Sequence, residues 1–390
     1  MRHRWAGTAA AVILLIAFWA LFWPKRDPAP AQGKGTNAAL PDPGAGSRPP
    51  GSPEGEGSNA APGADPVGDR DRVPMPGCWG GLRDFDRNAT LADMRAAIAS
   101  AVASGDPRLA DYLRDRLAEM IGSDPKRALE VLGWAKNARG PELATIMGAL
   151  KDSEAVRDPS VAEKLLATGE TKTESLELRG AALDALETQY HLDSGAISRM
   201  KEIALDDDSE SAGWMATRAI GRVMKEDFSR TGNYQPYWKE LLSIGRESEE
   251  TATQLLALEM PSYADPVLEG GDIEALSELL RKDPDRSVRE MAAHRLSVTR
   301  EPERVLGVYR AAFPAERDEC VRWAIFRFTV RVAGAGALPM LADFAKIDRR
   351  FAQDHQDFME LYASGTVDFA RIWTGKAERH QCVLEEGMDH

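Results

Sequence analysis

The sequence predicts an all-α chain: an α-solenoid of about seven antiparallel helix pairs, preceded by one N-terminal transmembrane helix and a disordered linker. Three observations predict it. One apolar helical stripe recurs along the chain at intervals of about 33 to 40 residues, the range of paired-helix repeats. Most copies open on a residue type that caps helices. No stretch alternates apolar and polar residues with the period of two that a half-buried strand requires.

The clearest copy lies in residues 285–332. Its stripe is Val288, Met291, Ala292 and Leu296, positions i, i+3, i+4 and i+8 of a 3.6-residue helix. Earlier copies fall at Ala252, Leu255, Leu256 and Met260; at Ala212, Met215, Ala216 and Ile220; and at Leu178, Ala181, Ala182 and Leu186. Fainter ones lie at Leu143, Ile146, Met147 and Leu150, and at Leu109, Tyr112, Leu113 and Leu117. One more follows at Val321, Ala324, Ile325 and Phe328. Three residues before the first apolar position stand Asp106, Ser175, Ser209, Asp285 and Asp318, whose side chains can accept from free amides of the first turn. Glu249 holds that place in one copy, with Ser248 beside it as the better cap. A second helix is expected in each unit, near residues 126–136, 160–168, 196–205, 236–244, 273–281, 303–313 and 338–347.

The signature Asp285-x-x-Val288-Arg289-x-x-Ala292 resembles a HEAT or HEAT-like bacterial repeat, the class that includes the PBS-lyase type. Leu178-Arg179 and Val321-Arg322 carry the same apolar-Arg pair, whereas Gly213 and Thr253 depart from it and the two earliest copies lack it. The resemblance spans roughly residues 173–347. A period of about 34 is also the tetratricopeptide length, which the first two units fit as well. The resemblance implies a solenoid whose second helices line a concave binding surface. It implies no activity, and no residue set here matches the bilin lyases for which some HEAT-like families are named.

In chain order, residues 1–26 read as a signal anchor. From Trp5 to Trp23 the chain is uncharged, long enough to cross a hydrocarbon core as a helix. Arg2 and Arg4 precede this run and Lys25 and Arg26 follow it, which favours a cytoplasmic N-terminus and an exported body. The alternative is a signal peptide cleaved after Ala29-Pro30-Ala31. Residues 27–76 are rich in Pro, Gly, Ala, Ser and Asp and poor in Leu, Ile and Val, so they cannot offset their ordering entropy and read as a linker. Residues 77–105 form an N-terminal cap with Leu91, Met94, Ile98 and Val102 on one stripe. Residues 106–347 hold the repeats, and residues 348–390 a C-terminal cap helix, near 356–374, and tail.

The longest interval between copies holds Phe228, Tyr234, Tyr237 and Trp238 in what reads as an inserted loop. Tyr234, Tyr237 and Trp238 are candidate partner-binding residues, because inserted loops carry binding and aromatics anchor interfaces. The alternative is that Tyr237 and Trp238 pack into the second helix's core.

Net charge is −13, which argues against nucleic acid. Charge is uneven: residues 142–278 net about −15 and residues 281–331 about +4. The later arginines are expected to pair with neighbouring carboxylates, or to form a patch for an acidic protein or an anionic lipid surface. Of the three cysteines, Cys78, Cys320 and Cys382, the last two share the C-terminal region and are the candidate disulfide; three unpaired thiols are the alternative. Asp206, Asp207 and Asp208 lack the spacing of a calcium loop. His380, Cys382 and His390 lack a complete metal-ligand set. There is no nucleophile elbow, phosphate loop or zinc-protease motif, and His191, His294 and His355 are scattered. No catalytic, cofactor or metal site is therefore expected.

The function expected is a membrane-tethered, non-enzymatic scaffold binding a protein partner through the solenoid groove, on the periplasmic side of an inner membrane or secreted to the periplasm. A structural stalk or self-associating envelope subunit is the alternative. An enzyme with an unrecognised site is a third reading.

Overall fold

The computed structural model describes Phe85, residues 88–206, 210–263 and 267–365, and the pair His380 and Cys382. All belong to one unit, Val73–His390. The anchor from Trp5 to Trp23, the linker at 27–76, Cys78, Ser209, and Phe369 and Trp373 of the tail lie outside the described residues.

Among the described residues the chain is helical, with one isolated parallel bridge between Leu268 and Thr299. The first helices are α1 (Leu91–Ser104), α2 (Pro107–Ile121), α3 (Pro125–Ala135), α4 (Gly140–Asp152), α5 (Pro159–Glu170) and α6 (Leu176–Leu186). Next come α7 (Ser194–Ala204), α8 (Glu210–Thr231), α9 (Gln235–Glu247), α10 (Thr251–Glu259) and α11 (Gly270–Lys282). The last are α12 (Arg286–Leu296), α13 (Pro302–Ala315), α14 (Glu319–Ala333), α15 (Leu338–Ile347) and α16 (Ala352–Ser364).

Local chemistry starts these helices. Thr90 and Asp93 form a reciprocal capping box at α1. Asp106, Ser175, Asp285 and Asp318 accept from first-turn amides of α2, α6, α12 and α14, and Asp124 and Asp158 do so at α3 and α5. Pro107, Pro125, Pro159 and Pro302 open their helices, where a missing N–H costs nothing.

Packing follows a simple rule. Even helices α2 to α14 each contact the next even helix, and odd helices α3 to α15 each contact the next odd helix. Each odd helix from α3 to α13 also packs closely on the even helix after it. The sequence pattern had each first helix paired with the second helix that follows; the closer partner is the one before. Two glycines show how close. A Cβ on Gly169 of α5 would stand 2.8 Å from Leu183 Cδ2 of α6, and one on Gly245 of α9 the same distance from Leu258 Cδ2 of α10. The buried apolar side chains form one cluster from Met94 to Phe358, so each pair is stabilised by its neighbours.

The arginine of the repeat signature has a structural role at these contacts. Arg179 is buried and its Nε donates to Gly169 O at 2.8 Å. Arg289 donates to Asp283 O and Pro284 O beyond the end of α11, and to Glu316 beyond the end of α13. Arg322 reaches Asp348 past the end of α15 at 2.8 Å. The side chain therefore satisfies carbonyls and carboxylates at the C-terminal ends of odd helices, where helix dipoles favour a cation.

One copy is out of register with the sequence reading. Ala252 is exposed, while Thr253, Gln254, Ala257 and Leu258 are buried. Gln254 Nε2 donates to Gly245 O, the counterpart of Arg179 on Gly169 O. The stripe thus begins at Thr253, and the N-cap is Glu250, whose amide is met by Ser248 Oγ. The slip arose because Ala252, Leu255 and Leu256 mimic the apolar spacing, whereas the true first position is a threonine.

Among the described residues, the stretch Glu319–Ile347 is long and apolar enough to cross a membrane by composition alone. It comprises α14 and α15 joined by the turn Gly334–Ala337, and most of α14 is buried in the core.

Candidate functional site

The expected inserted loop is largely helix. α8 continues to Thr231, Gly232 turns the chain with φ 75°, and α9 begins at Gln235. Tyr237 and Trp238 are fully buried, so neither is available to a partner; both are core residues of α9. Tyr234 is half-buried, edge-on to Phe228 at 5.8 Å, with its hydroxyl on the backbone of Val267. The apolar face of an amphipathic helix takes the aromatics inward, and α9 has its stripe at Tyr237, Leu241 and Ile244.

Tyr237 instead anchors a polar cluster. Its hydroxyl donates to Asp227 Oδ2 at 2.7 Å and accepts from Leu192 N at 3.0 Å. His191 Nδ1 lies 2.6 Å from the same Oδ2, and Thr231 donates to Oδ1 at 2.9 Å. Burial pushes the Asp227 carboxyl up, but the bonds from His191, Tyr237 and Thr231 together hold it below the usual carboxylate range. An ionised Asp227 favours the tautomer of His191 with its hydrogen on Nδ1, on a side chain 62% exposed. Beside it, Tyr190 is exposed and two guanidiniums lie over its ring, those of Arg157 and Arg230. Nothing in the sequence marked this group. Its members come from the short helix Glu154–Arg157, the turn before α7, α8 and α9.

A second group closes the C-terminal end. Cys320 and Cys382 are joined by a disulfide. Two residues before Cys382, His380 lies between Trp323 and Phe351, each ring centroid 4.8 Å away. Its Nδ1 meets Glu319 at 2.7 Å and its Nε2 meets Asp354 at 2.9 Å. Burial lowers the imidazole pKa, but the two carboxylates outweigh it and hold His380 above its ordinary value. The pair of contacts on both ring nitrogens fits an imidazolium that closes the end of the core. Glu290, Asp318 and Cys320 also converge within metal-binding distance. The Cys320 sulfur is committed to the disulfide and offers no thiolate.

A third group lies between α12 and α14, with Glu290 and Phe328 buried and His294 half-buried. Burial drives His294 down to about 2, with Arg295, Arg331 and Arg327 adding to the effect. The neutral ring stacks on Phe328 at 4.8 Å and faces Arg331 Nη1 at 3.0 Å. Burial raises Glu290 to about 7 against the pull of Arg327.

The outer face of the odd helices carries ion pairs between successive members. Arg199 of α7 holds Glu163 and Glu170 of α5, Lys201 of α7 holds Glu240 of α9, and Arg304 of α13 holds Glu274 of α11. A recess of about 200 Å³ lies between α11 and α13, floored by Ile273, Ser277, Val308 and Ala311. That is below the size of an ordinary small-molecule pocket. No protein-family model and no curated protein matches the chain.

Proposed function

We propose that the chain is a non-enzymatic α-solenoid scaffold of HEAT-like type, tethered through the segment from Trp5 to Trp23, that holds a protein partner against its odd-numbered helices. The observation that carries this reading is the contact ladder in which each helix touches its second neighbour, α2 to α14 in one row and α3 to α15 in the other. Helices arranged so bury a shared interior and leave a row of surfaces for a partner. The Cys320–Cys382 bond supports an exported body, since disulfides persist in oxidising compartments. That fits a periplasmic domain on an inner-membrane anchor, or the same domain released by cleavage after Ala31.

A structural stalk or self-associating envelope subunit is the second reading. The ion pairs between successive odd helices favour it, because they satisfy surface charge within the chain, as a spacer would. Photo-crosslinking in cells tests both. Crosslinkers replace Arg281 and Arg310 on the exposed face of odd helices, and Ala144 and Lys225 on even ones. Adducts to one other protein from Arg281 and Arg310 alone support the scaffold. Adducts only between copies of this chain support the stalk, and foreign adducts only from Ala144 and Lys225 refute the odd-helix face.

A further inference from the structure

Tyr190 sits on the turn between α6 and α7, 41% exposed. The Arg157 guanidinium carbon lies 4.4 Å from its ring centroid and that of Arg230 lies 4.0 Å away. The two carbons are therefore at most 8.4 Å apart, the sum of those distances. Neither arginine has a carboxylate partner among the described residues. Nearby Arg199 and Arg218, by contrast, are paired with glutamates. Arg157 is fixed by its Nε, which donates to Thr188 O at 3.1 Å, leaving its two terminal nitrogens without a hydrogen bond among the described residues. A guanidinium lying on a ring keeps its N–H edge available for two parallel bonds to an oxyanion. His191, the next residue, has its Nδ1 on buried Asp227 and a side chain 62% exposed.

We propose that Arg157, Arg230 and His191, arranged around Tyr190, form an oxyanion-binding site that takes the phosphate or carboxylate group of a ligand. Two like charges are held on one ring without a carboxylate partner among the described residues, in a chain whose net charge is −13. An anion held by the forks supplies that counter-charge, next to the exposed imidazole of His191. Tyr190 fixes both forks in place before the ligand arrives, which lowers the ordering cost of binding. The site stands whether or not the odd-helix face holds a partner.

The test uses the full-length chain labelled with [15N]histidine, which has six imidazoles. Inorganic phosphate is titrated against chloride at constant ionic strength. A saturable shift of the His191 signals, with His294 and His380 unmoved, is expected. Arg157→Gln/Arg230→Gln should raise the midpoint by roughly tenfold or more. Tyr190→Leu, which removes the ring under both guanidiniums, should weaken binding. A peptide of aspartates binding more tightly than phosphate assigns the carboxylates of a protein ligand, and the reverse order assigns a phosphate. No saturable shift with either probe, or an unchanged midpoint in the double arginine variant, overturns the proposal.

Discussion

Arg289 offers the sharpest test of how the repeats are joined. Its Nε and Nη2 hold Glu316 at 2.9 and 3.3 Å, and its Nη1 holds Asp283 O and Pro284 O at 2.9 and 3.1 Å. The pair is largely removed from water, with side-chain exposures of 15% and 9%. Removing one partner of such a pair costs about 3–5 kcal/mol, chiefly because the other charge stays buried. Glu316 keeps bonds from Arg317 N and Asp318 N, which puts Arg289→Met near the lower end, about 3 kcal/mol. Glu316→Gln retains an oxygen for those two amides, so Arg289→Met/Glu316→Gln should recover at least about 1 kcal/mol relative to the sum of the single variants. Urea unfolding followed by circular dichroism measures this as shifts in midpoint at constant slope. A cost under about 1 kcal/mol for Arg289→Met, or strict additivity in the cycle, would refute the view that this side chain ties α11 and α13 to α12.

Three further outcomes are expected. The Cys320–Cys382 bond closes a loop with a sequence separation of 62, for which the chain-entropy relation gives about 4 kcal/mol; Cys320→Ser/Cys382→Ser should lower the urea midpoint accordingly, and an unchanged midpoint, with or without reductant, would contradict it. Glu290, raised to about 7, keeps a proton that the unfolded chain releases near its ordinary value of 4.5, so its contribution falls as pH rises through that window. His294, lowered to about 2, stays neutral while the unfolded imidazole protonates near 6.5, so its contribution falls as pH drops below 6.5. The two slopes, about 1.4 kcal/mol per pH unit each, oppose one another between 4.5 and 6.5. Glu290→Gln should therefore leave stability rising with pH there and His294→Phe leave it falling, and flat profiles in both variants would negate the assignment. For the register of α10, Ala252→Arg should change stability by no more than about 0.5 kcal/mol, whereas Thr253→Arg should cost about 3 kcal/mol or more; equal effects in thermal unfolding would restore the earlier register.

Much of the candidate chemistry was hidden from the sequence by distance along the chain. His191 meets Asp227 across 36 residues and His380 meets Glu319 across 61. No local period links such pairs, and each histidine taken alone resembles a surface residue. The Arg157, Tyr190 and Arg230 group has the same origin, since three separate segments supply it. Tyr237 and Trp238 misled in the opposite way. Their place in the longest interval between copies suggested an inserted loop, but Pro236 opens α9 and the helix turns both rings inward.

By itself the sequence determined that the described residues are helical, where most helices begin, and which face of most of them carries apolar side chains. Those properties depend on neighbours within one or two turns, through capping bonds and the 3.6-residue period. Only the tertiary structure decided that each odd helix lies closest to the even helix after it, that the stripe of α10 starts at Thr253, and that the signature arginines hold the ends of odd helices. Those outcomes depend on the fit between surfaces brought together by packing, where a glycine at a close approach or one buried charge decides between arrangements that share the same local pattern.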